Sequence, residues 1–172
     1  MADAVDTLKR EHRIIEKVLD ALELAAGRER PVAFYERAID FLGAFADKCH
    51  HGKEEDRLFP CLERCGIPRD GGPIGVMCAE HVVGREHIRK MREWLKLGRI
   101  ADLRRESLEY VVLMRQHIGK EDNVLFEMAR HVMGPSEARR VSQQFDEVDG
   151  AGMPQEKFGA IADALLAEAQ RK

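Results

Sequence analysis

At 172 residues, with 44% hydrophobic and 34% charged side chains, the chain is long enough for one domain with a continuous core and too short to require two. Its net charge of −3 is small and both signs are interspersed, so neither nucleic acid nor an anionic membrane is expected as a partner. The N-terminal stretch carries Asp3, Asp6, Lys9, Arg10 and Glu11 in an amphipathic pattern, which fits neither a secretory signal nor a span, and a cytoplasmic protein is expected.

Apolar residues recur at three- and four-residue intervals nearly throughout, with almost no alternating pattern, so the fold class is all-α. A first helix is predicted from about Ala4 to Ala26, with Val5, Leu8, His12, Ile15, Leu19 and Leu22 on one stripe and Gly27 as its stop. The second starts near Pro31, carries Phe34, Phe41, Phe45, Leu58 and Leu62, and ends before Gly66. A connection rich in Gly and Pro leads to a third helix with the stripe Ile74, Met77, Cys78, His81, Ile88 and Leu95. The fourth begins near Asp102 and runs through Leu103, Tyr110, Met114, His117, Glu121, Leu125 and Met128 to Gly134-Pro135. Short connections between four long helices favour an antiparallel up-down-up-down four-helix bundle over residues 1–134.

Residues 135–172 read as a short C-terminal helical extension. Ser136 and Glu137 can cap a helix to about Val148, Gly150-Ala151-Gly152 breaks it, and a last helix runs from Pro154 to Ala169. No candidate ligands lie here, and its apolar residues are expected to cover Leu108, Val112 and Phe126 on the outside of the fourth helix.

The most informative feature is a repeat: His50-His51-Gly52-Lys53-Glu54-Glu55-Asp56-Arg57-Leu58-Phe59 returns as His117-Ile118-Gly119-Lys120-Glu121-Asp122-Asn123-Val124-Leu125-Phe126. Each copy places a histidine one turn before a carboxylate, so an imidazole and an oxygen project from one helix face. Each of the four helices thus has a histidine at a core position. Burying such groups alone would cost several kcal/mol each. Two divalent first-row ions would compensate them, and the candidate metal ligands are His12, His51, Glu55, His81, His117 and Glu121.

In helix 2 the register has two readings. Aligning the repeats pairs His50 and Glu54 with His117 and Glu121, whereas helical phase turns Phe41 and Phe45 inward only when His51 and Glu55 are inward too. Phase selects His51 and Glu55; a π-bulge near Gly52 would reconcile both. On helix 4, Glu121 lies at the centre of the stripe and Asp122 at its edge. His87 and His131 fall off the stripes and read as solvated. Tyr110 shares a face with His117 and reads as a packed core ring or, alternatively, as a side chain that hydrogen-bonds a ligand or approaches the metals. Arg85, one turn after His81, needs an anion if it points inward, which could be Glu55, Glu121 or a bound peroxide. The four cysteines form no Cys-x-x-Cys pair and read as free thiols.

On the ordered set His12, His51 with Glu55, His81, and His117 with Glu121, and on the Lys-Glu-Glu and Leu-Phe-Pro text before residue 61, the chain resembles the hemerythrin-like, or HHE cation-binding, family over roughly residues 4 to 130. The resemblance implies a four-helix bundle around two iron ions, a non-haem oxo- or hydroxo-bridged di-iron centre also bridged by two carboxylates, with an open site for dioxygen or a related small ligand. Oxygen-carrying members supply a second histidine on helix 3 where this chain has Arg85, and an Asp on helix 4 that corresponds to Asp122. Four histidines and two glutamates are closer to bacterial hemerythrin-like proteins, for which peroxide handling, iron storage, nitric oxide responses and iron-sulfur cluster repair have been proposed.

The leading expectation is therefore a di-iron protein that binds dioxygen, peroxide or nitric oxide as sensor, carrier or scavenger, a binding protein more than a dedicated enzyme. The alternatives are an enzyme acting on peroxide or in cluster repair, and a structural bundle that holds zinc or no metal. Glu-x-x-His, the order of ferritin-type centres, is absent at the core positions.

Overall fold

In the computed structural model, which describes residues 3–150 and 155–171, the described residues are mostly helical and none of them lies in a strand. Helix α1 spans Ala4–Ala26 and is capped by the Asp3 carboxylate, which accepts from the Val5 N–H. The second rod is compound: α2 (Val32–Phe41) passes into π-helical Leu42–His51 and Glu54–Leu58 before regular geometry returns in α3 (Phe59–Arg64). Gly66 ends it at φ 97°, with the Ile67 N–H bonded to the Leu62 carbonyl at 3.0 Å, a wrap that a residue with Cβ adopts poorly.

The third rod is α4 (Pro73–Lys96), with proline in its first turn. The fourth joins α5 (Ile100–Lys120), π-helical Glu121–Leu125 and α6 (Phe126–Val132). These rods form a ring of neighbours: α1 on α5, α5 on α4, α4 on α2 and its π continuation, and that continuation on α1. The apolar core is interrupted once, at the same level in every rod. Ile15, Cys49, Ile88 and Ile118 belong to one cluster, Leu8, Leu58, Met77 and Leu125 to the other. Every histidine of the expected site sits between them.

Two further helices, α7 (Pro135–Gly150) and α8 (Gln155–Gln170), complete the described chain. Of the expected Gly150–Gly152 break and Pro154 start, residues 151–154 lie outside the described residues. The extension does not cover the surface assigned to it. Leu108 and Val112 stay 39% and 57% exposed, while α8 lies on α1 and α2 and α7 on α1 and the Glu54–Leu58 turn. The reason is that α1 has apolar residues on a second face: Ala21 and Ala25 are buried with Ala162, Leu165 and Ala169. Phe158 also stacks on Phe45 with ring centroids 4.7 Å apart, worth about 1 kcal/mol beyond area burial. Phe126 is buried as expected, in the cluster that holds Val141 and Phe145.

Candidate metal centre

The wide turns of the second rod settle its register. A π-turn carries more residues than the 3.6 of an α-turn, so consecutive residues can share one face. His50 and His51 are accordingly both buried, at 1% and 2% exposure. Glu54 takes the interior carboxylate position, fully buried. Glu55, expected there from helical phase, lies one position further round, on the outer side of His81. His12, His51, His81, His117 and Glu121 converge as expected.

Two groups of donor atoms result, each within a 4.8 Å span: His51, Glu54, His81 and His117, and His12, His50, Glu54 and Glu121. Glu54 belongs to both. Its Oε1 lies 3.4 Å from His50 Nε2 and its Oε2 3.4 Å from His81 Nε2. Glu121 mirrors it, with Oε2 3.2 Å from the Nε2 of both His12 and His117. Each carboxylate thus spans the two halves.

The outer nitrogens are held just as regularly. Nδ1 faces Asp122 in His12 (2.8 Å), Glu11 in His50 (2.9 Å), Glu55 in His81 (2.6 Å) and Glu80 in His117 (3.0 Å). An ionised carboxylate only accepts, so Nδ1 carries a proton and Nε2 is turned inward, a donor for metal once it is itself deprotonated. A cation backs each acceptor in turn: Arg13 on Asp122, Lys53 on Glu11, Arg85 on Glu55 and Lys120 on Glu80. Phe59 and Phe126 stack on His81 and His12 at 6.0 and 5.4 Å.

The whole repeat is now explained. In His50-x-x-Lys53-Glu54-Glu55 and His117-x-x-Lys120-Glu121-Asp122, the histidine aims inward, and the lysine grips the carboxylate that orients it. The first acid faces the interior, while the second orients a histidine of α1 or α4. The gripped carboxylates precede those histidines in sequence, as Glu11-His12 and Glu80-His81. Twofold-like order breaks at His51, whose counterpart is Ile118. His51 stacks on His81 at 3.8 Å and is the fifth interior imidazole.

Arg85 points at Glu55 and Asp47, each at 2.7 Å, so its charge is already matched. Tyr110 is fully buried and packs its ring against Gly84 and His87. His87 bonds Glu106 at 2.7 Å and is mostly covered, while His131 is exposed. All four cysteines are free.

These residues fit a metal pair better than any internal pairing. His12 Nε2, His50 Nε2, both nitrogens of His51 and all four oxygens of Glu54 and Glu121 are buried without a hydrogen-bond partner. Each such group costs about 1–3 kcal/mol. His81 Nε2 and His117 Nε2 meet at 3.1 Å. Two nitrogens bound to one ion at about 2.1 Å and at right angles would be about 3.0 Å apart.

Protons do the compensating where a cation does not. Burial and the neighbouring Glu121 charge raise the Glu54 carboxyl well above its ordinary range. Glu121 is held well below its own, because His117 and His12 outweigh the cost of its burial. Burial likewise opposes charge on His12, yet the hydrogen bond to Asp122 and the nearby Glu121 carboxylate raise it to about 9. His50 is pushed down to about 4 by burial, and His51 well below 6.5 for the same reason. Glu54 is thus driven toward its neutral form, and Glu121, His12 and His117 toward their charged ones.

Repetition of the motif was the available signal for His50 and Glu54, and periodicity pointed past them. Comparison with known proteins agrees with the geometry. The chain is 23% identical to an uncharacterized protein of Mycobacterium tuberculosis and to one of Mycobacterium bovis, over 94% of this chain and 67% of each relative. No solved structure matches it. The hemerythrin HHE cation-binding domain matches residues 3–129, and the chain belongs to that family.

Proposed function

We propose that this protein is a non-haem di-iron protein that binds dioxygen or a related small ligand, peroxide or nitric oxide, as a cytoplasmic sensor, carrier or scavenger. In this reading residues 1–134 run up-down-up-down around the centre and residues 135–172 are a helical extension packed on them. The observation that carries it is the convergence of five inward imidazoles on two carboxylates that each reach both halves. His51, His81 and His117 with Glu54 would hold one ion, and His12 and His50 with Glu54 and Glu121 the other. When bound, the iron pair supplies electrons and an open coordination position to a small ligand.

The chain's own residues set the conditions for that chemistry. Five imidazoles and two carboxylates form a mixed nitrogen and oxygen set suited to iron, with zinc as a competitor. Each half has four protein donors, three imidazoles with Glu54 in one and two imidazoles with Glu54 and Glu121 in the other, which leaves open coordination positions for a small ligand. Leu8, Ile15, Met77, Met114 and Leu125 are all buried and keep bulk water from the donors. A cavity of about 400 Å³ is lined by Asp47 and Arg85, which lie beside His51 and Glu55, and offers a small ligand a route toward the centre. Arg85, matched by Glu55 and Asp47, gives no specific support to a peroxide-processing enzyme.

The test is anaerobic loading with ferrous iron, metal analysis after desalting, then titration with dioxygen, peroxide and nitric oxide under an absorption spectrometer. Two irons per chain and new near-ultraviolet or visible bands with at least one ligand are expected. A protein that keeps no iron, or keeps two and stays spectrally silent with all three, removes the reading.

Binding should also displace protons, since burial shifts the Glu54 carboxyl well above its ordinary range and His12 is raised to about 9, and both must be deprotonated to coordinate. Net proton release on loading is expected in weakly buffered solution. His12 titrates near 9, so affinity should rise with pH up to that value and fall below it. Loading without proton uptake by the medium would contradict the assigned protonation states.

A further inference from the structure

The two lysines of the repeat do the same job in different surroundings. Lys120, which holds Glu80, has a side chain 42% exposed. Lys53, which holds Glu11, is fully buried. Its ammonium lies 2.5 Å from Glu11 Oε1 and 2.5 Å from Asp149 Oδ1, and 5.6 Å over the Phe145 ring. Gln155 Nε2 donates to the same Glu11 oxygen at 2.8 Å. Asp149 ends α7 and Gln155 opens α8, both beyond residue 129, where the family match stops.

The chemistry is asymmetric as a result. A buried ammonium with one carboxylate partner would have most of its donors unused, and its desolvation would be poorly compensated. Asp149 supplies the second partner. Lys53 stays cationic, since Glu11 and Asp149 outweigh the effect of burial. The adjacent Cys49 thiol is pushed up to about 12 by burial and stays neutral. Glu11 then has one oxygen fixed by Lys53 and Gln155 and the other on His50 Nδ1.

We propose that Asp149 and Gln155 are positioning residues of the centre: by holding Lys53 and Glu11 in place they lock the His50 ring, and so set how firmly the ion at His12 and His50 is kept. The opposite half, oriented by Glu80 and a solvent-reaching Lys120, is independent of them. This rests on the two-ion reading above. It gives the C-terminal extension a part in the metal site, where its sequence alone suggested a cover for apolar surface.

The experiment challenges iron-loaded full-length protein with a ferrous chelator and follows release, with Mössbauer spectra to tell the two irons apart. In Asp149→Asn, one iron should leave about tenfold faster than in wild type and the other at the wild-type rate. Gln155→Ala should move the same iron in the same direction, Asp149→Glu should largely restore it, and Lys120→Met should loosen the other iron instead. The metal-free Asp149→Asn protein should melt close to metal-free wild type. Equal acceleration of both irons, or a metal-free melting temperature that falls in step with release, would overturn the proposal in favour of a general loosening of the fold. Unchanged release in both Asp149→Asn and Gln155→Ala from a protein that does hold two irons overturns this inference alone. A wild type that holds no iron pair overturns it together with the proposed function.

Discussion

Glu54→Gln is expected to fold like the metal-free wild type yet retain neither ion after loading and desalting. Glu54 has one oxygen toward His50 and one toward His81, so its charge is shared by both halves. Two divalent ions about 4 Å apart repel by roughly 17 kcal/mol even at an effective dielectric near 20. Glu121 alone cannot offset that.

The same substitution is mild for the empty protein. Burial already favours the neutral Glu54 acid there, and the amide is close to that form in shape and charge. Glu121→Gln is different, because Glu121 is the ionised partner of His12 and His117; that variant should lose stability as well as metal. Glu55→Gln, acting only on His81 Nδ1 and Arg85, should keep two ions and bind them about tenfold more weakly. Metal content and circular-dichroism melts of the three variants decide the matter. Glu54→Gln with two tightly held ions would show that Glu54 is not the shared carboxylate.

Removing metal from the loaded wild type should cost a large part of its thermal stability. A ligand bound only by the folded state adds about 4 kcal/mol per site when its free concentration is a thousandfold above the dissociation constant. For a chain of this size each kcal/mol moves the melting temperature by about 2–4 °C, so two sites should raise it by about 15 °C or more. The physical source is the set of orphaned interior nitrogens and oxygens, which the ions satisfy and protons satisfy only in part. Paired melts before and after chelation, with re-addition of ferrous iron or zinc to show reversal, provide the measurement. Melting curves that coincide would mean that the cavity does not depend on cations for its stability.

Much of this site is readable along the chain. His12, His81, His117 and Glu121 lie on regular stripes of three- and four-residue spacing, and α1 and α4 are unbroken α-helix through their histidines. Periodicity works there because every turn has the same number of residues. It misleads between Leu42 and Leu58, where two π-helical stretches change that number. Phase counted from Phe41 and Phe45 therefore arrives at Glu55, while the interior position belongs to Glu54. The repeat aligned His50 and Glu54 correctly, since copies of one motif preserve roles even where the local pitch differs.

The amino-acid sequence by itself determined that the chain is all helical, where its long rods start and stop, and that each rod brings a histidine to the level of one polar layer. Those properties are local: capping residues, Gly and Pro stops and apolar spacing act within a few residues along the helix. Only the tertiary structure decided that His51 joins His50 inside, that Glu11, Glu55, Glu80 and Asp122 hold the outer histidine nitrogens, and that α8 lies on α1 and brings Gln155 to Glu11. Each of these depends on which surfaces meet across long sequence separations. An ionisable side chain 40 to 144 residues from its partner, such as Glu11 from Lys53 and Gln155, leaves no periodic trace of that pairing until the rods are packed.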